Sequence, residues 1–557
     1  MAAILEKDGT VFEFSADIGT QNADGFCKVD ICGEVPVPKI RKTDRILLPV
    51  DEGIVLKADG NYENGEFRFS EIRHRLSGRE GTLSMLVVQR DRKYLMIALQ
   101  SGVHSVYSVP KENGIYQIHI TNEKTCSVYY KVFDQLITLC KAYKALKAST
   151  PLTLTQKAAK NPLVSTLFGG AIFWIWNENY DEVMYSDHDT DLEPQTGDSL
   201  LKIAEELKNE GIDQAMIGIF FEKDSKYVEQ LYRDYGYLAT QYDNYNDVLN
   251  PALLSIIPNN RVKNCDYTAR RMKDYPDGVL RYKDGTMGKA WALKGFDGEM
   301  HSQNSLCPLV AMDRMETEVA EILKKYPNYK GRFIDVYGTG ITECFHPEHP
   351  VTLEECVRVK AQAFQNLTDM GLITGTEDGF EAIMDSLVYT EGMHSPVYFR
   401  NHNAGRRHAN MYNDAEKTYI AKYMLQPEYR VPLFQLVNHE NLLTFPYWGD
   451  STDDCPEQIK EKTLFACLFG CPPLYSFSVK DFPKVKESIL YSYRRISPIH
   501  RLTATEPITD YRILTEDYSV QQTVFGDKYE VTVNFSDREF CLNGDRIPPK
   551  DLVFRVL

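Results

Sequence analysis

The first 130 residues contain short runs in which apolar and polar positions alternate. The runs lie at residues 10–15, 45–50, 53–57, 66–69 and 94–99, and Gly, Asp and Asn separate them at regular intervals. Alternation with a period of two buries one face of a strand, and closely spaced turn residues join such strands into an antiparallel sandwich. A helical stretch follows. The pattern therefore predicts an N-terminal β-sandwich with a helical linker over residues 1–150.

From about residue 160 the pattern changes to continuous apolar runs alternating with amphipathic helices. Continuous apolar runs are typical of parallel strands that helices cover on the outside. A doubly wound nucleotide-binding sheet would place a glycine-rich loop after its first strand, but here Gly169 and Gly170 precede it. We therefore expect a catalytic (β/α)8 barrel over residues 151–500. The predicted strands are 169–176, 214–221, 237–242, 331–335, 372–376 and 431–438. The predicted helices include 225–235 and 353–370; Thr352 and Glu355 would form a capping box at the start of the second helix, and Gly371 would end it.

The end of the chain returns to strand-like alternation, at residues 511–514, 520–525 and 529–535. These runs predict a small C-terminal β-sandwich over residues 501–557. The predicted fold class is thus multidomain, with α/β and all-β parts: an N-terminal β-sandwich, a central TIM-like (β/α)8 barrel and a C-terminal β domain.

Composition and charge narrow the range of partners. The 557 residues carry a formal net charge of −16, and an acidic surface repels phosphate backbones and anionic membranes. No apolar run approaches the ~20 residues that a membrane span needs. The 12 cysteines are scattered, often within apolar strings, and the N-terminus lacks a basic, apolar leader. We therefore expect a cytoplasmic protein with reduced thiols and with neither nucleic-acid nor membrane partners; the sequence predicts nothing about oligomeric state.

Candidate catalytic groups follow the predicted barrel strands, because barrel enzymes place their chemistry at the carboxyl ends of strands. Asp335 follows one apolar run and Glu377 follows the next. Hydrolysis of an acetal needs one carboxylate to stabilise or trap the sugar carbon and one carboxylic acid to protonate the leaving oxygen. We expect Asp335 and Glu377 to be this pair. The alternative for each residue alone is a helix cap or a solvated loop position.

Further polar and aromatic residues are expected around the same rim. Carboxylates, an amide and an imidazole would hydrogen-bond sugar hydroxyls, and an aromatic ring would offer a platform to the apolar face of the sugar. For the acidic run after residue 242, the alternative is a turn whose side chains satisfy one another. The candidate substrate-binding residues are Asp243, Asn244, Asp247, Tyr337, His439, Trp448 and Asp450.

Two local clusters are predicted to be structural rather than catalytic. His346 and His349 are flanked by prolines, so they cannot form the helical pair of imidazoles that a zinc protease uses. The basic cluster of residues 402–408 is expected to be a solvated loop. No Gly-x-Ser-x-Gly motif occurs, and no metal ligands are assigned, although carboxylates and carbonyls could hold a structural calcium ion.

Several short motifs, taken in order, resemble glycoside hydrolase family 129 and its relative, family 101. The motifs are residues 45–56, 242–248, 333–337, 375–379, 431–440 and 447–450. The resemblance implies a β-sandwich followed by a (β/α)8 barrel and β modules, and a retaining α-N-acetylgalactosaminidase activity that requires no cofactor. It also implies that Asp335 is the nucleophile and Glu377 the general acid/base. The stretch between these two residues is longer than in the family pattern, which leaves Glu343 and Glu391 as rival acids.

The resulting hypothesis is a retaining exo-α-glycosidase for galacto-configured sugars, most of all α-N-acetylgalactosaminides, with an oligosaccharide or glycopeptide as substrate. An α-galactosidase or anhydrogalactosidase activity is the alternative within the family. Two alternatives come from other classes. One is a barrel that binds carbohydrate without hydrolysing it, and the other is a metal-dependent hydrolase using His439 with Asp243 or Asp450.

Overall fold

A computed structural model describes most of the chain. The described residues are 3–62, 72–78, 81–176, 197–219, 225–257, 271–400, 414–542 and 544–557. The predicted strand at 66–69, the end of the predicted strand at 214–221 and the basic cluster at 402–408 lie outside these ranges.

The N-terminal part is built on an antiparallel sheet of eight strands among the described residues. Its longest strand pairs with three others, and a bulge between Asn122 and Cys126 separates two of these pairings. The predicted N-terminal β domain is confirmed, and helix α1 (Leu136–Ala145) leads out of it. The strands are β1 (Ala3–Lys7), β2 (Thr10–Phe14), β3 (Cys27–Glu34), β4 (Arg45–Leu48), β5 (Ile54–Lys57), β6 (Arg73–Arg75), β7 (Met85–Arg90), β8 (Lys93–Leu99), β9 (Ser105–Ser108), β10 (Lys111–Glu112), β11 (Ile115–Tyr116) and β12 (His119–Phe133).

In the part of the chain that the structure describes, the central region is a nearly closed barrel of eight parallel strands, as predicted. Its strands are β13 (Ala171–Trp176), β14 (Ala215–Ile219), β15 (Leu238–Asp243), β19 (Gly331–Ile334), β20 (Ile373–Glu377), β21 (Tyr389–Glu391), β22 (Leu443–Phe445) and β23 (Leu474–Ser478). Spatial order follows chain order, and the last strand returns to lie beside the first. In the described residues between β15 and β19, three inserted strands form an antiparallel sheet, and no sequence pattern predicted it. Its strands are β16 (Asp247–Val248), β17 (Lys289–Lys294) and β18 (Met300–Ser305).

Helices cover the barrel from outside. They are α2 (Leu154–Lys160), α3 (Gly197–Asn209), α4 (Ser225–Tyr235), α5 (Pro308–Lys325), α6 (Leu353–Asp369), α7 (Asp414–Lys422), α8 (Leu433–Asn438), α9 (Ile459–Phe469) and α10 (Phe482–Thr503). Thr352 and Glu355 form the predicted capping box at the start of α6. Among the described residues, no helix combines the length and the apolar character that crossing a membrane requires.

The barrel strands divide their side chains between two apolar clusters. Trp174, Phe333 and Tyr389 pack inside the barrel. Phe173 and Ala239, which alternate with interior positions along their strands, pack outside against the helices. This alternation decides which residues at the strand ends can reach the mouth of the barrel.

One predicted strand is a helix. Residues 431–438 were expected to form a barrel strand ending at His439, but α8 occupies this segment and β22 begins only at Leu443. Every residue of α8 is buried. A short helix that is buried on all sides has no polar face, so its sequence lacks the helical period and is easily mistaken for a buried strand.

The C-terminal part is an antiparallel sheet of four strands with an added hairpin. The strands are β24 (Ile508–Ile513), β25 (Val520–Phe525), β26 (Tyr529–Asn534), β27 (Phe540–Leu542), β28 (Asp545–Ile547) and β29 (Asp551–Val556). The order of the sheet is β24–β25–β26–β29. It packs on the barrel through rings such as Phe535 against Phe465 of α9, with centroids 4.5 Å apart. The predicted C-terminal β domain is therefore confirmed.

Candidate active site

Asp335 lies directly after β19, at the carboxyl end of the barrel. Its side chain is 8% exposed. The hydroxyl of Tyr242, from neighbouring β15, donates a hydrogen bond of 2.6 Å to Asp335 Oδ2. Among the described residues, no backbone N–H and no serine, threonine or tyrosine hydroxyl donates to the buried Oδ1. One carboxylate oxygen is thus held in place while the other keeps its capacity to react.

The chain turns sharply after Asp335. Val336 has φ +60°, a left-handed conformation that is costly for a β-branched side chain. The Tyr337 N–H then donates to the Asp335 carbonyl over 2.6 Å. This turn leads the chain away from the mouth. The Tyr337 hydroxyl donates to the Pro308 carbonyl over 3.0 Å, and its ring packs edge-on against Phe364. Tyr337 is therefore a core residue, and its predicted role as a sugar platform is wrong.

Glu377 is the last residue of β20, which pairs with β19 so that Ile334 lies opposite Thr376. The next residue on each strand, Asp335 and Glu377, then projects toward the barrel mouth, and their two carboxyls interact directly. Glu377 is only partly buried. The structure thus brings together the two acids that the sequence analysis singled out.

Two further side chains hold Glu377. The Tyr447 hydroxyl hydrogen-bonds to its carboxyl, and the positive charge of Arg400 acts on it. The Arg400 guanidinium stacks over the Tyr447 ring, 3.9 Å from the ring centroid. Both residues lie in segments after barrel strands, so the acid is positioned from beyond its own strand.

Burial and proximity raise the pKa of both carboxyls. Burial raises the pKa of Asp335 to about 6, against the opposing effect of the Tyr242 hydrogen bond. Burial and then the charge of Asp335 raise the pKa of Glu377 to about 8. Two adjacent carboxyls in a dry site cannot both ionise cheaply. Near neutral pH, therefore, Asp335 is ionised and Glu377 holds the proton.

Neither of the two rival acids, Glu391 and Glu343, is the carboxyl in contact with Asp335. Glu391 ends β21 opposite Glu377, but it is fully buried, and its Oε2 accepts a 2.8 Å hydrogen bond from the Trp174 indole. Burial raises its pKa well above the ordinary value, so it is a neutral acid beneath the pair. Glu343 lies half-buried in the loop before α6, and Glu377 rather than Glu343 is the carboxyl in contact with Asp335.

The acidic run after Tyr242 is largely occupied by the protein itself. Asp243 accepts a 2.6 Å hydrogen bond from buried Arg332 and another, of 2.8 Å, from the Asn244 N–H. Asn244 Oδ1 accepts the N–H groups of Asn246 and Asp247. Asp243 and Asn244 are thus structural, which corrects their expected role as sugar ligands. Asp247 remains a candidate, since its charge acts on Asp335.

His439 does not reach the mouth of the barrel. It follows the last residue of helix α8, and its ring nitrogens lie 2.8 Å from the Glu506 carbonyl and 3.0 Å from the Gly470 carbonyl. Its ring packs on Phe525 of the C-terminal sheet. The predicted sugar-binding role of His439 is wrong, because the preceding segment is a helix and delivers it to the domain contact.

An aromatic wall formed by Trp176, Tyr447 and Trp448 stands beside the acid pair. The Trp448 ring centroid lies 5.5 Å from that of Trp176 and 4.8 Å from that of Tyr447. Trp448 is half-buried, so part of its ring faces open space and it remains a candidate platform. Asp450, nearby, accepts a 3.1 Å hydrogen bond from Lys462 within a buried ion pair.

Sequence reasoning missed several residues of this site. Tyr242 could have been found, because Leu238, Thr240 and Tyr242 alternate along one face of a predicted strand. Trp176, at the end of β13, carried the same kind of signal. Arg400 and Tyr447 lie in irregular segments after short strands, where no periodicity marks the residues that turn inward.

A pair of interacting carboxyls on neighbouring strands, at the carboxyl end of a (β/α)8 barrel, is the arrangement found in barrel glycoside hydrolases. The sequence profile of the glycosyl hydrolases related to family GH101, family GH129, matches residues 206–524. The chain belongs to this family. It is accordingly a hydrolase that acts on glycosidic bonds.

Solved structures share the fold over nearly the whole chain. The α-N-acetylgalactosaminidase NagBb from Bifidobacterium bifidum, in complex with GalNAc, is 18% identical, with a TM-score of 0.66 over 96% of this chain and 90% of its own. The α-galactosidase TtGalA from Thermus thermophilus, in complex with stachyose, is 12% identical, with a TM-score of 0.51 over 88% of this chain and 99% of its own. No curated protein sequence matches the chain significantly.

Proposed function

We propose that this protein is a retaining exo-α-glycosidase for α-linked galacto-configured sugars, with α-N-acetylgalactosaminides as its substrates. The observation that carries the proposal is the direct interaction of Asp335 with Glu377 at the barrel mouth. The family match supports the α-glycosidase class. The GalNAc-bound complex of NagBb, which shares the fold, supports the choice of sugar.

The closeness of the two carboxyls supports retention. Inverting glycosidases separate their carboxyls by about 6.5–9.5 Å to admit a water molecule, whereas retaining enzymes hold them about 5–5.5 Å apart. Asp335 and Glu377 interact without an intervening group. This arrangement leaves Asp335 to attack the sugar itself rather than to activate a water molecule.

The reaction proceeds in two displacements. In the first, Asp335 attacks the anomeric carbon as Glu377 protonates the departing glycosidic oxygen, and a covalent glycosyl-enzyme forms. In the second, Glu377 takes a proton from water, which displaces Asp335 from the same carbon. Loss of the Asp335 charge in the first step lowers the pKa of Glu377, so the residue becomes a carboxylate able to act as base.

Neighbouring side chains set the roles of the two acids. The Tyr242 hydroxyl stabilises the Asp335 carboxylate, and the Tyr447 hydroxyl orients the Glu377 carboxyl. Trp448 would stack on the apolar face of the sugar, and Asp247 would accept hydrogen bonds from its hydroxyls. Neutral Glu391 closes the floor without adding a third negative charge next to the pair.

Nitrophenyl α-glycosides test the proposal. We expect hydrolysis of the α-N-acetylgalactosaminide, with the α-anomer as the first sugar product seen by NMR. Asp335→Asn should lower kcat/KM at least about 1,000-fold with unchanged circular dichroism. Preference for the plain α-galactoside would make the protein an α-galactosidase. Binding without turnover, or near-normal activity of Asp335→Asn, would contradict the assignment.

A further inference from the structure

The loop that follows Asp335 returns to the protein through a cluster of sulfur and nitrogen ligands. Residues 336–352 connect β19 to α6, and a pair of backbone hydrogen bonds between Cys344 and Val351 closes the distal part of this loop. The closure places His349 back over Cys344. Cys307, at the N-terminal end of α5, reaches the same point from the inserted segment.

The ligand atoms of Cys307, Cys344 and His349 converge. The two sulfurs and a ring nitrogen all lie within 4.8 Å of one another. Cys344 Sγ lies 3.6 Å from His349 Nδ1. A tetrahedral zinc ion with Zn–S of about 2.3 Å and Zn–N of about 2.0–2.1 Å sets two such atoms about 3.5–3.6 Å apart. The observed separation therefore matches one edge of a zinc tetrahedron.

The tautomer of His349 is also the one that metal binding needs. His349 Nε2 lies 2.6 Å from the Asp277 carbonyl oxygen, which can only accept, so Nε2 carries the proton. The lone pair of Nδ1 then faces the cysteines. A backbone carbonyl that fixes a histidine through its second nitrogen is the usual outer support of a metal ligand.

We propose that Cys307, Cys344 and His349 form a zinc site that ties the loop after Asp335 to the start of α5. Both cysteines are buried, whereas His349 is half-buried, so the site opens to solvent on one side and water supplies the fourth ligand. Binding would replace two thiol protons with one Zn²⁺, leaving a neutral set of two thiolates, one imidazole and one water.

His346 and His349 do not lie on a helix, so their spacing alone does not predict a metal site. Two of the ligands, Cys344 and His349, lie in the closed loop, and the third, Cys307, lies at the start of a helix far away in sequence. The spacing of residues along the chain does not reveal such a combination. His346 stacks on His349 at 3.9 Å with nearly parallel rings, but its Nδ1 accepts the Glu348 N–H. His346 is thus a close neighbour outside the ligand set.

A second convergence of possible ligands, formed by Glu52, His394 and Cys471, already contains a cation. Arg430 donates to Glu52 Oε1 over 2.7 Å and to the His394 carbonyl over 2.9 Å. A metal ion there would have to displace a buried guanidinium, so we assign no metal to it.

Zinc titration of the whole 557-residue chain tests the proposal. Protein purified with a reductant and freed of metal by a chelator is titrated with zinc chloride, and bound zinc is measured by mass spectrometry after gel filtration. We expect one zinc ion per chain and a higher thermal midpoint with zinc. Cobalt should give a thiolate-to-metal charge-transfer absorption.

Matched variants identify the ligands. Cys344→Ser and His349→Gln should lower zinc affinity by more than about 100-fold, since even outer-shell losses cost 10–100-fold. Cys356→Ser, in the same apolar cluster, and His346→Gln should bind zinc like the wild type. If Cys344→Ser does not fold, the zinc affinities of His349→Gln and His346→Gln still show whether His349 is a ligand.

Three results would overturn the zinc site. They are absence of stoichiometric zinc in the wild type, unchanged affinity in His349→Gln, and a Cys307–Cys344 disulfide in protein that binds no zinc.

Discussion

The chemistry of the site depends on how two carboxyls share one proton. Asp335 and Glu377 have the same functional group, and their surroundings separate them. Each carboxyl accepts a hydrogen bond from a tyrosine hydroxyl, Tyr242 for Asp335 and Tyr447 for Glu377, but Glu377 also faces the negative charge of Asp335, which raises its pKa further. The same burial that raises both pKa values therefore yields one nucleophile and one acid.

The pH profile of kcat/KM should be bell-shaped. Activity requires ionised Asp335 and protonated Glu377, so it should fall below about pH 6, as Asp335 takes up a proton, and above about pH 8, as Glu377 loses one. These values belong to the interacting pair as a whole. In Glu377→Gln, assayed with an activated aryl glycoside, the basic limb should vanish and the acid limb should remain. A basic limb that persists in this variant would assign the acid elsewhere.

Tyr242→Phe should move the acid limb to higher pH. The variant removes a charge-assisted hydrogen bond to Asp335, worth about 1.5–3 kcal/mol, which corresponds to about one to two pH units. Tyr237→Phe is the matched control, because its hydroxyl donates to the Ile212 carbonyl, away from the pair. Equal profiles for the two variants would show that Tyr242 does not support the nucleophile.

At the scale of single residues, the two candidate catalytic carboxyls could be predicted from the sequence, but the side chains that position them could not. Asp335 and Glu377 directly follow recognisable apolar strands, and barrel geometry brings such positions together. Arg400 and Tyr447 reach the pair from irregular segments. His439 was predicted at the barrel rim because the buried helix α8 before it has the sequence pattern of a buried strand.

At the scale of elements, a buried ion pair on the outer face of the barrel holds strand β19 to strand β15, in addition to the side-chain contacts inside the barrel. Arg332 and Asp243 form an ion pair of 2.6 Å in which each side chain is 2% exposed. Arg332 also donates to Gln241. This contact fixes the strand that carries Asp335 against the strand that carries Tyr242.

Asp243→Ala should therefore destabilise the protein by about 3–5 kcal/mol, because it leaves the buried guanidinium of Arg332 without its carboxylate partner. The double variant Asp243→Leu/Arg332→Met should recover much of the thermal midpoint and most of kcat/KM. If Asp243 instead contacted sugar, as its sequence position suggested, the double variant would fold yet stay catalytically poor. Thermal unfolding and steady-state kinetics together separate these cases.

Helices and strands whose apolar residues recur with a clear period were predicted to within a few residues of their ends. Elements without such a period were missed or assigned to the wrong type. The capping box at Thr352 and the glycine after α6 marked that helix accurately. The buried helix α8 shows no helical period, and the inserted strands β16–β18 are short and partly exposed. Their positions depend on tertiary contacts that local sequence does not encode.

At the scale of the whole molecule, the N-terminal domain is anchored to the barrel by buried charges. Glu52, which follows β4, accepts hydrogen bonds from Arg430 and pairs with His394 Nδ1 at 2.7 Å. Burial lowers the pKa of His394, but Cys471 and Glu52 more than offset it, and the pKa is raised to about 9. The anchor thus depends on a protonated imidazole.

This anchor should weaken in alkaline solution. The pKa of His394 is higher in the folded than in the unfolded chain, so its stabilisation is complete below about pH 6.5 and is lost as pH rises through about 9. His394→Asn can still donate to Glu52 but does not titrate. The difference in thermal midpoint between wild type and variant should shrink from pH 6 to pH 9.5. A constant difference would contradict the raised pKa.

The order of the domains was predictable because each domain has its own pattern of apolar residues. Apolar and polar residues alternate in the strands of the two outer domains, whereas the barrel strands are continuous apolar runs. The contacts between domains were not predictable, since Glu52 and Arg430 are far apart in the chain and no local spacing relates one to the other.

Trapping the covalent intermediate tests the central claim most directly. A 5-fluoro-N-acetylgalactosaminyl fluoride should react quickly with the nucleophile and leave it slowly, so that peptide mass spectrometry can locate the sugar. We expect a single label on Asp335 in the wild type and none in Asp335→Asn. A label on Glu377 or Glu391, or turnover that releases the β-anomer first with no labelled peptide, would contradict the account.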